Sequence, residues 1–347
     1  MANHKFPSLN GLRGLSIIMV INSHCRNIFK NLQEHVLLKP FVYFAQDGQM
    51  GVNIFFIISG FLITSIMLDE ETATKKISLK KFYIRRTLRI FPAYYFLLMI
   101  YFFLESLGYL KIDSLSWATA ITYTKDFRPL SDWYTAHAWS LSIEEQFYFF
   151  WPFIFIAGDR VRKTMALSLI LLVPALRIFL NCNPVNWISD FSIFTRIDAI
   201  AFGCIIALYR DKIVTTAGKH WNEIFSVSIS MLLGLRYLPW LATKLHFTLI
   251  LTPLAIMQGT IANILMSWII LYSVFGPKGI WYQLLNTKLL NYLGMLSYSI
   301  YLWQQLFTMQ SANWFQQYPV NLFFILVAAI CSYYFIEMPF LKLKSKF

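Results

Sequence analysis

Apolar residues in this chain gather in long runs, without the strict alternation of a half-buried strand or the narrow stripe of a soluble amphipathic helix. Ten runs stand out, at 11–31, 49–68, 90–109, 141–157, 164–180, 193–209, 223–242, 250–275, 288–307 and 320–340. A helix needs about 20 mostly apolar residues to cross the hydrocarbon core of a bilayer. A helix also satisfies its own backbone hydrogen bonds there. The pattern therefore predicts an all-α, polytopic integral membrane protein with about ten transmembrane helices. The eighth run is long enough to be bent or broken. The chain is expected to form one integral-membrane domain over 1–347, with no soluble domain at either end. The first run lacks a small-residue cleavage site, so it reads as a retained helix rather than a signal peptide.

Composition agrees. Of 347 residues, 57% are hydrophobic and 14% charged, whereas soluble domains carry about 25% charged residues. The net charge of +13 would suit nucleic acid, but its distribution follows topology instead. With the N-terminus in the cytoplasm, 20 Lys and Arg fall on the cytoplasmic side and 8 on the other, while Arg177 and Arg196 lie within spans. This bias obeys the positive-inside rule and puts both termini in the cytoplasm. Nucleic acid drops out as a partner, and the lipid bilayer takes its place. Cys25, Cys182, Cys204 and Cys331 form no C-x-x-C pair or ligand spacing, so neither a metal site nor a disulfide framework is expected. No internal repeat and no Walker or Rossmann glycine pattern is visible.

Polar residues inside apolar runs are costly and therefore informative. Arg13 and His24 are eleven positions apart in the first run. On a helix, eleven steps return to within about 20° of the starting direction, with a rise of about 16 Å. The pair would share a face, with a cation toward one surface and an imidazole toward the other. A snorkelling arginine and a packed histidine are the plainer alternative. In the second run, Gly51, Ser59 and Gly60 suit close helix packing, and Ser59 can bond across helices.

The basic segment that follows carries Lys80, Lys81, Arg85, Arg86 and Arg89 ahead of Pro92. Arg86 and Arg89, three apart, share a helix face, and paired guanidiniums suit bidentate phosphate recognition. The alternative is an anchor for anionic lipid headgroups. The stretch from His137 to Tyr148 contains Trp139, Ser140 and the adjacent acids Glu144 and Glu145. Ser142 and Glu145 have the spacing of a capping box, but two acids entering a membrane helix exceed what capping needs. One of them could pair with an arginine or orient an imidazole. Arg196 and Asp198 lie in another apolar run, where pairing with each other or with other buried charges is the default. Glu337 closes the last run near the cytoplasm, within reach of the basic segment.

Taken in order, these segments resemble the membrane-bound acyltransferase family 3, whose members acylate mainly cell-envelope carbohydrates. The resemblance runs from about residue 8 to 340. It rests on Leu9-Asn10-Gly11-Leu12-Arg13-Gly14 with His24, on Gly51 to Leu62, on Phe82 to Pro92, on Trp139 to Tyr148, and on Phe335-Ile336-Glu337-Met338-Pro339. It implies acyl transfer from cytoplasmic acyl-coenzyme A, with no permanently bound cofactor, to an envelope carbohydrate or lipid-linked glycan. The implied place is the cytoplasmic (inner) membrane, as a multi-pass protein. Acetyl is the expected acyl group. Arg85, Arg86 and Arg89 would hold the donor's phosphates and Arg13 would position the donor. His24 would act as base or as acyl carrier, with Glu144 or Glu145 orienting it. Ser59, Gly60, Trp139, Ser140, Arg196, Asp198 and Glu337 would be supporting residues.

Three departures stand out. Relatives often have a histidine after the equivalent of Tyr301-Leu302-Trp303, where this chain has Gln304-Gln305, and Asn53 stands where an acid is common. Many relatives also carry a fused extracytoplasmic esterase-like domain, so this chain is expected to work alone or with a separate partner. Two readings from other classes compete with the enzyme. One is a multi-span transporter or flippase, favoured by buried charges and a broken helix. The other is a non-enzymatic membrane sensor that docks a partner on its basic segment.

Overall fold

The structure, a computed structural model, describes residues 6, 8–25, 39–185, 187–245, 248–309, 313–344 and 346. A helix stands at each of the ten apolar runs. In chain order these are α1 (Leu9–His24), α2 (Gly48–Thr74), α3 (Leu79–Ser106), α4 (Ala138–Ile156), α5 (Asp159–Cys182), α6 (Ile193–Leu208), α7 (Trp221–Leu245), α8 (Thr248–Phe275), α9 (Lys288–Phe307) and α10 (Val320–Lys344). Among the described residues there is no strand. Among the described residues, five helices are long and apolar enough to cross a membrane: α2, α3, α5, the Met257–Phe275 part of α8, and α10. Residues 26–31 of the first run lie outside the described residues.

Two boundaries differ from the sequence reading. The third helix starts well before its apolar run at 90: α3 begins at Leu79, capped by the Ser78 side chain, and carries Arg85, Arg86 and Arg89 in its first turns. Pro92 sits inside this helix, where the missing N–H costs one backbone bond without ending it. The eighth run is one unbroken helix, so the broken segment expected of a transporter is not there.

The chain divides into two compact units, Met1–Lys75 with Phe153–Met295, and Lys76–Pro152 with Leu296–Phe347. In the first unit α2 packs along both α1 and α6, and α5 packs on α6. Ile17, Phe56, Ile57, Ile58, Phe61 and Ile200 form the interior there. Lipid gives helices little hydrophobic reason to associate, so small residues and close backbone approach carry the packing. A side chain at Gly14 would put its Cβ 2.5 Å from the Leu290 carbonyl oxygen, and one at Gly51 would lie 2.7 Å from that of Ser16. α1 is thus held by backbone contact on two sides. At its N-terminal end, Asn286 donates to the Ser8 hydroxyl at 2.8 Å.

In the second unit α3 packs against the C-terminal part of α10, with Tyr94, Leu97 and Tyr101 buried on α3. Within α10, residues Tyr333–Glu337 form a π-helical turn, with Met338 N–H bonded to the Tyr333 carbonyl. Pro339 gives the cause. Its ring crowds the carbonyl four residues back, that of Phe335, and it donates no hydrogen bond. A wider turn relieves both, and such turns recur at functional sites.

Candidate functional site

In the first unit, Arg13 and His24 lie on the one regular helix α1, with His24 its last helical residue. Their shared face, read from the spacing, follows from that helix. Ser16, which lies between them on the stripe, is fully buried and donates its hydroxyl to the Leu12 carbonyl at 2.8 Å. Gly60 of α2 approaches the Ile200 carbonyl of α6 too closely for any side chain. The second-helix motif therefore serves helix packing at Gly51 and Gly60.

Asp198 has no exposure at all, and it pairs with Arg177 of α5 at 2.6 Å rather than with Arg196. Asn263 and Thr260 of α8 also bond it, at 3.3 and 3.5 Å. Arg177 further donates to the Thr195 carbonyl and the Thr260 hydroxyl. Asn53 donates to Asn263 at 3.2 Å, so four helices meet in one polar chain. Arg196 turns elsewhere, to the Asp190 carbonyl at 2.5 Å and the Gln49 side-chain oxygen at 2.9 Å. Of the two pairings left open by the sequence, Asp198 takes the more distant one. Arg177 is the residue that sequence reasoning missed; its only signal was a cation without an assigned partner inside a span.

The second unit gathers the arginine and glutamate motifs. Arg86 donates from Nε to Glu145 at 3.1 Å and from Nη2 to Glu144 at 3.4 Å. Its guanidinium carbon sits 3.5 Å from the centre of the Tyr148 ring. The capping box is not formed. Helix α4 starts four residues before Ser142, at Ala138. The Ser142 hydroxyl instead donates to the Ala138 carbonyl and accepts the Lys125 backbone N–H. The acids are free of capping duty because Arg86 of α3 engages both.

Nearby in the same unit, Trp139 and Ser140 are buried. Ser140 Oγ lies 2.6 Å from Tyr301 Oη, which donates to the His137 carbonyl at 2.9 Å. Glu337, at the π turn, accepts the Ser299 hydroxyl and lies close enough to Arg89 for their charges to attract. Gln304 has no exposure, and its amide finds no hydrogen-bond partner among the described residues. Gln305, by contrast, donates to the Trp133 carbonyl at 2.8 Å. Tyr148 and Tyr301 were visible only as members of motif stretches, and Ser299 carried no signal of its own; their roles come from neighbours far away in the chain.

The segment between α3 and α4 is tied down by charge. Lys125, fully buried, donates to Asp132 at 2.6 Å and to the Ser131 hydroxyl at 2.9 Å. Burial works against the charge on Asp132. The Lys125 ammonium and the Thr135 hydroxyl and amide outweigh it and hold the carboxyl below the usual carboxylate range.

The long apolar helices and paired charges within them define a polytopic helical membrane protein with polar sites built inside its bundles. Residues 6–338 match the family model for the acyltransferase 3 domain, and the chain belongs to that family. It is 26% identical over 370 residues to a Bacillus subtilis protein provisionally named peptidoglycan O-acetyltransferase YrhL, covering 97% of this chain and 55% of the relative. It is 27% identical over 367 residues to O-acetyltransferase OatA of Staphylococcus aureus, covering 97% of this chain and 57% of that protein. The chain thus spans a little over half the length of these relatives. No solved structure matches it.

Proposed function

We propose that this protein is a membrane O-acyltransferase. In this reading it moves an acyl group, acetyl first, from cytoplasmic acyl-coenzyme A to a hydroxyl of an extracytoplasmic glycan. The observation that carries the reading is the pair Arg13 and His24 on one helix of a chain from this family. An imidazole has an ordinary pKa of about 6.5, so it can remove a hydroxyl proton near neutral pH. The acceptor oxygen then attacks the thioester carbonyl, the C–S bond breaks, and the coenzyme A thiolate leaves. His24 can instead carry the acyl group itself before passing it to the acceptor. Coenzyme A is a substrate here and not a resident group.

Arg13 would position the donor, and Arg85 and Arg89 would meet its phosphates. Arg86, between two carboxylates, would set the shape of that end of α3 and offer its remaining N–H edge. The chain would cross the inner membrane ten times with both termini in the cytoplasm, as the 20 to 8 distribution of Lys and Arg supports. His24 would then lie toward the outer face, and the acyl group would cross most of the bilayer within the protein. The names of the relatives favour peptidoglycan among possible acceptors. The transporter reading leaned on a broken eighth helix, and α8 is continuous.

Proteoliposomes of known orientation provide the test. Labelled acetyl-coenzyme A is supplied on the cytoplasmic side and a membrane-impermeant glycan on the other. Labelled glycan that depends on His24 is the expected result. Uptake of either compound without ester formation would defeat the enzyme reading. Product only when both substrates share the cytoplasmic side would defeat the transmembrane scheme.

A further inference from the structure

We propose that Gln49 and Arg196 form a brace that positions His24 for acyl transfer, acting through the first turn of α2. The proposal rests on the acyltransferase reading above, which gives His24 the chemistry, and adds two positioning residues in the same unit. Its first support is the place of His24. It is the last residue of α1, where the final carbonyls have no partner within the helix and end turns fray. An imidazole that takes a proton must be held closely, because a misplacement of about 1 Å can cost about a hundredfold in rate. Contacts from outside α1 have to fix its last turn.

The start of α2 supplies them. Gly48 approaches the Ser23 side chain too closely to carry a side chain of its own, and a Cβ at Gly51 would meet Ser16, Met19 and Val20. Ser23, which precedes His24, also donates its hydroxyl to the Val20 carbonyl at 2.7 Å. The first turn of α2 is therefore seated on the last two turns of α1. Gln49 stands on another side of that turn, about 100° round the helix from Gly48 and about 160° from Gly51. Its side-chain oxygen accepts Arg196 Nη2 at 2.9 Å, while Arg196 Nε donates to the Asp190 carbonyl at 2.5 Å. The guanidinium thus ties the segment ahead of α6 to the turn that holds Ser23. Asp47 caps the same turn by accepting the Met50 N–H at 2.9 Å. Asp198 does not compete for Arg196, because it is bonded to Arg177, Thr260 and Asn263. The close backbone approach of α2 and α6 at Gly60 and Gly203 comes about 16 Å further along α2, so the brace secures the end that meets α1.

The test uses the full-length protein and two single variants, Gln49→Leu and Arg196→Met. A third variant, Gln49→Arg with Arg196→Gln, exchanges the two partners. Gln49 is exposed, so its replacement leaves the interior of the unit intact. With labelled acetyl-coenzyme A as donor, each single variant should lose about tenfold or more in kcat, with the donor KM within about twofold of normal. The exchange should restore most of the loss, because the same bond forms with donor and acceptor reversed. The second readout needs no substrate. In protein labelled with ¹⁵N-histidine, the His24 imidazole resonance is identified by its loss in His24→Ala. It should shift or broaden in both single variants, return in the exchange, and stay in place in Arg160→Gln, a change at an exposed arginine on α5. A His24 resonance unmoved by both single variants overturns the proposal, and so does a kinetic loss confined to KM. A loss that the exchange leaves unrepaired in folded protein overturns the pairing of Gln49 with Arg196. Absence of transfer in the unmodified protein would defeat the acyltransferase reading instead, and the resonance comparison would still decide whether the brace places His24.

Discussion

Arg86 and Glu145 meet at 3.1 Å between α3 and α4, with Tyr148 beneath the guanidinium and Glu144 on its other nitrogen. The side chains of this cluster are 13–18% exposed, which places the interaction between a surface pair and a sealed one. Arg86→Lys keeps the charge but loses the fork and the stacking, and should lower stability by about 1–2 kcal/mol. Glu145→Gln should cost a similar amount. The double variant should lose less than the sum of the two in thermal unfolding, because the residues share one network. Strict additivity would mean that the contact carries no energy.

His24→Ala should lower acyl transfer by about 10² to 10⁴, the usual contribution of a general base. The melting temperature and size-exclusion profile should stay near those of the unmodified protein. Near-normal turnover in this variant would remove His24 from the chemistry.

Gly51→Ala places a Cβ 2.7 Å from the Ser16 carbonyl oxygen, a backbone atom that cannot swing away. The helices must separate, at a cost of about 1–3 kcal/mol for overpacking, and transfer should fall because Ser16 lies between Arg13 and His24 on α1. Gly234→Ala in α7 meets open space and serves as the control, expected to leave stability and activity unchanged. Equal behaviour of the two variants would refute the positional argument.

Acid should loosen the segment between α3 and α4. The Asp132 carboxyl is held below its ordinary range, so its stabilising contribution is complete above the unfolded value of about 3.9. That contribution is lost as pH falls through the lower folded value. Amide exchange of residues 125–135 should therefore rise between pH 5 and pH 2, and Asp132→Asn should show the fast exchange already at pH 7. Exchange in the variant that matched the unmodified protein at pH 7 would show that the Lys125 pair does not hold the segment.

Much of the architecture was legible in the amino-acid sequence because it depends on local pattern. Each apolar run became a helix, since backbone groups in lipid have few other ways to be satisfied. Arg13 and His24 could be placed on one face because a regular helix alone relates positions eleven apart. The acyltransferase family was likewise visible in the order of motifs spread over nearly the whole chain.

Tertiary structure decided which charge meets which. Arg196 and Asp198 look paired on paper, yet two positions apart on a helix they point about 160° away from each other. Asp198 therefore met Arg177 arriving from α5, and Arg196 was left to neutral oxygens. The capping spacing of Ser142 and Glu145 failed for a related reason. Helix α4 begins earlier, and Arg86, 59 positions back in the chain, takes the acid. Local periodicity sets which way each side chain points along its own helix. Partners across helices depend on packing, and packing is decided by where small residues let backbones touch.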